Sequence, residues 1–557
     1  MRRFSKYLAI LMVIGLLFSV LFGCGKQERA DETGTGETET GQETETGQQE
    51  KSNDQTQAPK PVTLKIMFFG EKPMHLDEVL EEFYKRTKDT LNVKLDIEWN
   101  PTDAHKQKLQ LKMASKEEVD LVFDAPWMGM DQRISNGAYI DLEKYFFNDE
   151  YPGLKKNFSK DYINSNRFLG KVYAIPITQT FGEVEGFAIR KDLMEKYGFK
   201  EIKTYDELAK FLDTILENEP GMIPIATEGR IGLFESTFGL EHCYPAEANI
   251  YTVENFAVAI SKDNKKVLGA ARVLFGNMWG GEPAEAYKDF PEPYNKLETW
   301  QAPILKAKEW NKYLEKDVLS QTDRMGVFAS GKAAALCRGI FQSPVFYPKL
   351  KQVVPEADLY FFPFRDSDRE KIPHSVVTDY KAWNFVCIPV TSKNADRTMK
   401  FIDWIFQSED NHDLIELGIE GVHWEKVGDN GYKIPEAMAS QPYIFPWYQL
   451  TGNPNMVRIN DNYLPQEKEY FEWKLNPDRY AASALAGFTF NTEPIKTEKA
   501  KVDAIYNELG NPIRCGAYED PLKEIQNAYN KAKEVGLDKI REEVIKQVQE
   551  FLDKTYK

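Results

Sequence analysis

Apolar residues alternate with others at the start of the globular part of the chain. Val62, Leu64, Ile66 and Phe68 are separated by Thr63, Lys65 and Met67, which predicts a strand ending at Gly70. Leu76, Val79, Leu80 and Phe83 then recur at helical spacing, and Val93, Leu95, Ile97 and Trp99 alternate again up to Asn100-Pro101. A helix carrying Leu109 and Met113 precedes Asp120-Leu121-Val122-Phe123-Asp124, a short apolar run suited to a buried parallel strand. This βαβαβ beginning predicts a parallel α/β sheet.

A second pattern of the same kind starts after residue 180. Residues 186–189 read as a strand, and Lys191 to Tyr197 as a helix stopped by Gly198. Thr204-Tyr205-Asp206-Glu207 has the form of a capping box, and Leu208, Phe211, Leu212 and Ile215 continue that helix. Two α/β lobes joined near residues 172–185 are therefore expected. Trp383 to Pro389 predicts another strand, followed by a helix with Met399, Ile402, Ile405 and Phe406 on one face. The chain closes with an amphipathic helix whose apolar stripe includes Leu537, Ile540, Val544, Val548 and Phe551, read as a core-packing face.

The pattern breaks down before residue 61. Arg2, Arg3 and Lys6 precede an apolar stretch from Leu8 to Phe22, and Gly23 stands before Cys24, the layout of a secretory signal. Leu21-Phe22-Gly23-Cys24 resembles a bacterial lipobox, in which the cysteine becomes the lipidated first residue after cleavage; Phe22 is bulkier than the small residue usual there. The apolar run is slightly short for a retained membrane span. Residues 25–60, with the run TGETETGQETETGQQ, hold almost no large apolar side chain and cannot bury enough surface to offset ordering entropy. They read as a disordered tether.

Composition sharpens this in two ways. The net charge of −16, made more negative by loss of the basic leader, opposes nucleic-acid binding, which requires clustered Lys and Arg. Beyond Cys24 the cysteines at 243, 337, 387 and 515 are scattered, without the close pairs of zinc sites, and read as buried small hydrophobes; Cys243 and Cys515 are the pair with most claim to a disulfide.

Several ordered stretches resemble the extracellular solute-binding proteins that serve carbohydrate ABC importers, within the large Gram-positive lipoprotein branch. MASKEEVDLVF (113–123) and ISNGAYIDLEKY (134–145) resemble a helix end and strand, then a short helix and turn. GKVYAIP (170–176) resembles the passage between lobes, and GFAIRKDLMEKYG (186–198) the strand and helix after it. GVFASGKAAA (326–335) resembles a helix preceding a cleft strand, and LIELGIEGVHWEKV (414–427) a segment of the lipoprotein branch. The resemblance implies a type II periplasmic-binding-protein-like α/β fold: two lobes, each a mostly parallel sheet flanked by helices, with a ligand cleft between. It places lobe 1 at residues 61–178 and 380–430 and lobe 2 at 179–379 and 431–557.

Rival chemistries find little support. Gly326 to Lys332 has most of the spacing of a phosphate loop, but position 333 is alanine, so the magnesium-binding hydroxyl is missing. No Gly-x-Ser-x-Gly elbow occurs, and the six histidines, His374, His412 and His423 among them, show no metal-ligand spacing. Asp366-Ser367-Asp368 reads as a solvated turn. Some relatives carry a calcium loop after the capped helix; here residues 216–224 lack alternating oxygen ligands, so no metal and no cofactor is expected.

Sugar rings combine apolar faces with hydroxyl edges, so aromatic platforms beside carboxylates, amides and Arg are the signal sought among 10 Trp, 27 Tyr and 34 Phe. In open α/β lobes ligands bind beyond the carboxyl ends of strands. That selects Phe69 and Glu71, Asp124 and Trp127, and Arg338 and Phe341. Gln179 and Glu183 lie in the crossover, while Trp279 and Trp383 are candidate platforms; Trp424 is as well placed for packing. The resemblance implies a monomeric, non-enzymatic protein that holds a carbohydrate and delivers it to permease subunits, anchored through Cys24 on the extracellular face of the cell membrane. An exported carbohydrate-active enzyme, or a lipoprotein presenting ligand to a sensor kinase, are the alternatives.

Overall fold

The computed structural model describes residues 59–233, 238–242, 244–274 and 279–557. The leader, Cys24, the tether up to residue 58 and Cys243 lie outside these residues. Among the described residues no helix is long and apolar enough to cross a membrane.

The first lobe is built on β1 (Val62–Phe69), α1 (Leu76–Thr87), β2 (Val93–Asn100), α2 (Thr102–Ser115) and β3 (Leu121–Asp124), in the order the periodicity predicts. β4 (Ile175–Ile177) follows after a stretch of short helices. The chain then crosses to the second lobe with β5 (Gly186–Arg190), α3 (Tyr205–Asn218), β6 (Ile223–Ala226), β7 (Ala333–Cys337) and β8 (Leu359–Pro363). It returns to the first with β9 (Asn384–Cys387), α4 (Ala395–Gln407) and α5 (Glu409–Glu416). α6 (Pro465–Leu475) and the terminal α7 (Leu537–Thr555) belong to the second lobe's packing.

The two central sheets run β2-β1-β3-β9-β4 and β8-β5-β7-β6. β1 is parallel to β2 and β3, whereas β9 is antiparallel to both β3 and β4. In the second sheet β7 is parallel to β6, while β5 is antiparallel to β7 and β8. Both sheets are thus mixed. β5 and β9 are the strands by which the chain arrives from the other lobe, so neither is constrained by a βαβ crossover to run parallel.

Local signals hold where they were strong. α1 buries Leu76, Val79, Leu80 and Phe83. The Thr204 hydroxyl accepts from the Glu207 N–H at 3.2 Å and the Glu207 carboxylate accepts from the Thr204 N–H at 3.2 Å, completing the capping box. α7 buries Leu537, Ile540, Val544, Val548 and Leu552 in the second core, with Phe551 only half-buried. At Gly186 a Cβ would stand 2.2 Å from the Phe362 carbonyl oxygen, so glycine is what lets β5 start flush against β8.

Two expectations change. The core around the first sheet takes in Tyr443, Phe445, Leu450 and Met456, so the chain beyond residue 431 packs on the first lobe before its C-terminal helices join the second. Asp366-Ser367-Asp368 is buried and not a solvated turn, because Asp368 accepts from the wholly buried Arg479 at 2.8 Å and from the Trp473 indole at 3.1 Å. Cys337, Cys387 and Cys515 are free and buried, and burial pushes the Cys515 thiol up to about 12.

Candidate ligand-binding site

The crossover contributes Gln179, Glu183, Val184 and Glu185 to the lining of a cavity of about 420 Å³ walled by both lobes. Glu416, at the end of α5, comes from the first lobe together with Tyr432, Trp447 and Arg458. Arg324, Arg338 and Phe341 come from the second, on and around β7, with Phe471 and Lys474 from α6. Arg338 and Phe341 both adopt positive φ, +54° and +63°, and the turn they define carries their side chains into the cavity.

Charged groups in this cavity are organised in pairs. Lys474 donates to Glu183 at 2.6 Å, and Arg338 to Glu185 at 2.6 Å. Arg324 donates to Glu228 at 2.6 Å and to the Cys337 carbonyl at 3.1 Å. Arg458 donates to Asp413 at 2.6 Å and Glu409 at 2.9 Å. Glu416 accepts from Gln179 at 3.1 Å and from the Thr451 hydroxyl at 2.6 Å. Burial pushes the Glu416 carboxyl above the usual carboxylate range, with His412 behind it opposing the shift. Burial would lower His412, but Glu416 and Asp413 overcome it and hold the imidazole above its ordinary value. Its Nε2 lies 3.0 Å from the Thr451 carbonyl, so that nitrogen carries a proton.

Aromatic rings adjoin the polar groups. Phe341 packs on Tyr463 and Phe471 at centroid distances of 5.8 and 5.3 Å. On the first lobe, Trp447 leads to Tyr448 (5.8 Å), Tyr448 to Phe69 (5.7 Å) and Phe69 to Trp127 (6.0 Å), a chain of rings running out of the cavity. Gln449 fixes this chain by accepting from the Phe69 N–H at 3.0 Å and donating to its carbonyl at 2.7 Å.

Of the residues singled out from sequence, Gln179, Glu183, Arg338 and Phe341 line the cavity. Phe69 is half-buried and joined to it through Tyr448; Trp127, 52% exposed, donates to Asn384 at 3.2 Å, and the adjacent Trp383 is 77% exposed. Glu71 is exposed and outside the lining. Asp124 is consumed internally: fully buried, it accepts from Arg133 at 2.7 Å and from the Tyr139 hydroxyl at 2.5 Å. Trp279 is 0% exposed in the second core, and Trp424 is buried with its indole donating to the Gly418 carbonyl at 3.0 Å. Both rings went to packing because an apolar surface that size is most stable inside. Sequence reasoning missed Arg324, Glu416, Trp447, Arg458 and Lys474. Only Glu416, within the 414–427 motif, had a signal.

Among the described residues one cluster has metal-ligand composition, His75, Glu78 and His423, which the fold gathers from distant positions. His75 Nδ1 lies 3.0 Å from Glu78 and His423 Nε2 3.6 Å from it. However, the Ile419 N–H donates to His423 Nδ1 at 3.0 Å, so the neutral ring carries its proton on Nε2, the atom facing the cluster. A protonated nitrogen has no lone pair for a cation. In the loop after α3, Glu219 is likewise engaged, by Lys196 at 2.5 Å and the Tyr197 hydroxyl at 2.7 Å.

Comparison with known proteins agrees with this architecture. Residues 75–411 match the family described as bacterial extracellular solute-binding protein, and residues 484–553 match a domain of unknown function. A carbohydrate ABC transporter substrate-binding protein of Streptococcus pneumoniae serotype 4 is 25% identical over 499 residues, 88% of this chain and 91% of its own. The polygalacturonan/rhamnogalacturonan-binding protein YtcQ of Bacillus subtilis is 23% identical over 387 residues, 67% of this chain and 68% of its own. The crystal structure of the N-glycan transport solute-binding protein NgtS from Streptococcus pneumoniae superposes with a TM-score of 0.64 at 22% identity, covering 89% of this chain and 100% of that one. NgtS has also been solved with Man1GlcNAc. With two lobes facing a shared cavity and a match spanning most of both central sheets, the chain belongs to the bacterial extracellular solute-binding protein family.

Proposed function

We propose that this protein captures an oligosaccharide between its lobes and delivers it to the permease of an ABC importer, without bond cleavage. The observation that carries the reading is the wall of the cavity. Carboxylates, guanidinium groups and amides converge there from both lobes beside aromatic rings, the mixture that hydroxyl edges and apolar sugar faces require. The chain of rings from Trp447 to Trp127 supports a ligand longer than a single sugar, with Trp383 available at its outer end.

Contacts to both lobes would favour the closed form in proportion to their differential affinity for it, and closure is what a permease can recognise. The moving bodies in this reading are residues 61–178 with 380–460, and the second lobe with the C-terminal helices. Cys24 would carry the lipid that retains the protein at the outer face of the membrane, and the tether would give the lobes reach. Ligand contacts are assigned to Gln179, Glu183, Arg338, Phe341, Glu416 and Trp447, with Phe69, Trp127 and Trp383 as outer platforms.

Thermal-shift screening against a glycan panel tests the reading, because a ligand that binds only the native state raises its apparent stability. The expected result is stabilisation by one glycan class with no product released on prolonged incubation. Steady product release would establish an exported enzyme instead. Stabilisation by peptides alone would replace the ligand class.

A further inference from the structure

Saccharides recognised by relatives span two charge classes, since the name of YtcQ specifies polygalacturonan while NgtS is seen with Man1GlcNAc. A polyuronate carries a carboxylate on each sugar, so a cleft that holds one needs cations whose charge is not already neutralised by the protein. The cavity's cations bear directly on this. Lys474, Arg338, Arg324 and Arg458 all line it, and each is held at 2.6 Å by a carboxylate of this chain: Glu183, Glu185, Glu228 and Asp413 respectively. Arg458 has a second carboxylate, Glu409, at 2.9 Å. Glu416 adds a further acidic group to the wall, held there by Gln179 and Thr451.

Resting on the carbohydrate reading above, we propose that the cleft is selective for neutral oligosaccharides and excludes uronates. Paired in this way, the charged groups become fixed hydrogen-bonding edges. Guanidinium N–H groups donate to hydroxyl oxygens and carboxylate oxygens accept from hydroxyl protons, both of which a neutral sugar satisfies. A uronate carboxylate entering the same space meets Glu183, Glu185 and Glu416, and among the described residues no uncompensated cation lines the cavity to offset the repulsion. It would also have to break an existing ion pair to gain one, and with Arg324 or Arg458 that strands the buried carboxylate of Glu228 or Asp413. The charge of the whole chain, −16, repels a polyanion before contact as well.

The full mature chain, titrated by thermal shift and calorimetry, decides this with neutral manno-, chito-, xylo- and gluco-oligosaccharides against oligogalacturonates of matched length. Runs at about 0.01 M and 0.15 M salt, where the Debye length falls from about 30 to about 8 Å, separate electrostatic attraction from neutral contacts. The expected result is a saturable shift with at least one neutral sugar, insensitive to salt, and none with oligogalacturonate at either salt. Oligogalacturonate binding that weakens with salt overturns the inference while leaving a carbohydrate-binding protein. No shift from any glycan defeats the carbohydrate reading itself and this inference with it. A Glu228→Gln variant, with its fold checked by circular dichroism, removes the carboxylate that pairs with Arg324 and should gain salt-sensitive oligogalacturonate binding. Absence of that gain in the folded variant counts against ion pairing as the basis of exclusion.

Discussion

Arg479 and Asp368 form a buried ion pair beside the crossover between the lobes, with Nε to Oδ1 at 2.8 Å. The same guanidinium donates to the carbonyls of Gly182 and Glu183 at 2.6 and 2.8 Å, so it fixes the backbone that carries Glu183 into the cavity. Arg479→Met leaves Asp368 charged and buried and should lower stability by about 3–5 kcal/mol in urea unfolding. Adding Asp368→Asn should recover part of that loss, because the stranded charge is then removed. If the single variant is as stable as wild type, the pair is not a structural tie.

Trp447 and Trp279 should separate binding from packing. Trp447, half-buried in the cavity wall, is expected to behave as a binding anchor, so Trp447→Ala should weaken glycan binding by about tenfold or more with the fold retained. Trp279→Ala empties a fully buried site and should cost about 3–5 kcal/mol of stability while leaving affinity near wild type. Calorimetry and denaturant titration on the two variants provide both readouts.

His412 should give stability a pH dependence. Its folded value is raised by Glu416 and Asp413 against the effect of burial, so the stabilisation it contributes is complete below about pH 6.5, its ordinary value, and fades as pH climbs through the raised one. Glu416, also raised, acts in the same sense from a lower pH. His412→Gln should flatten the fall in stability above about pH 6.5 relative to wild type. An unchanged profile would show that His412 is not the group responsible.

Cys24 should be the lipid acceptor. Cys24→Ala should abolish incorporation of labelled palmitate in the native host, while wild type is labelled and fractionates with membranes. Equal labelling of the two would place the anchor elsewhere.

How much of this was legible depended on the range over which the information is encoded. β1, α1, β2 and β3, the Thr204 capping box and the α7 stripe were readable because each arises from the spacing of side chains within one turn or pleat. The positions of Gln179, Glu183, Arg338 and Phe341 were reachable by the rule that ligands gather beyond strand ends and at the crossover. The same rule misplaced Asp124, because it does not say whether Arg133 and Tyr139 will claim that carboxylate first.

By itself, then, the amino-acid order determined two α/β lobes and the residues of the crossover between them, and raised the expectation of an exported chain on a polar tether. Only the tertiary structure decided the chemistry of the cleft. Glu416, Trp447, Arg458 and Lys474 lie far along the chain from Gln179 and Arg338, and no local periodicity relates them. Their proximity comes from the chain's return to the first lobe through β9 and α5 and then to the second through α6. Ion pairing falls off with distance in space, not along the sequence, so which cations are neutralised and which aromatics reach the cavity is settled by packing alone.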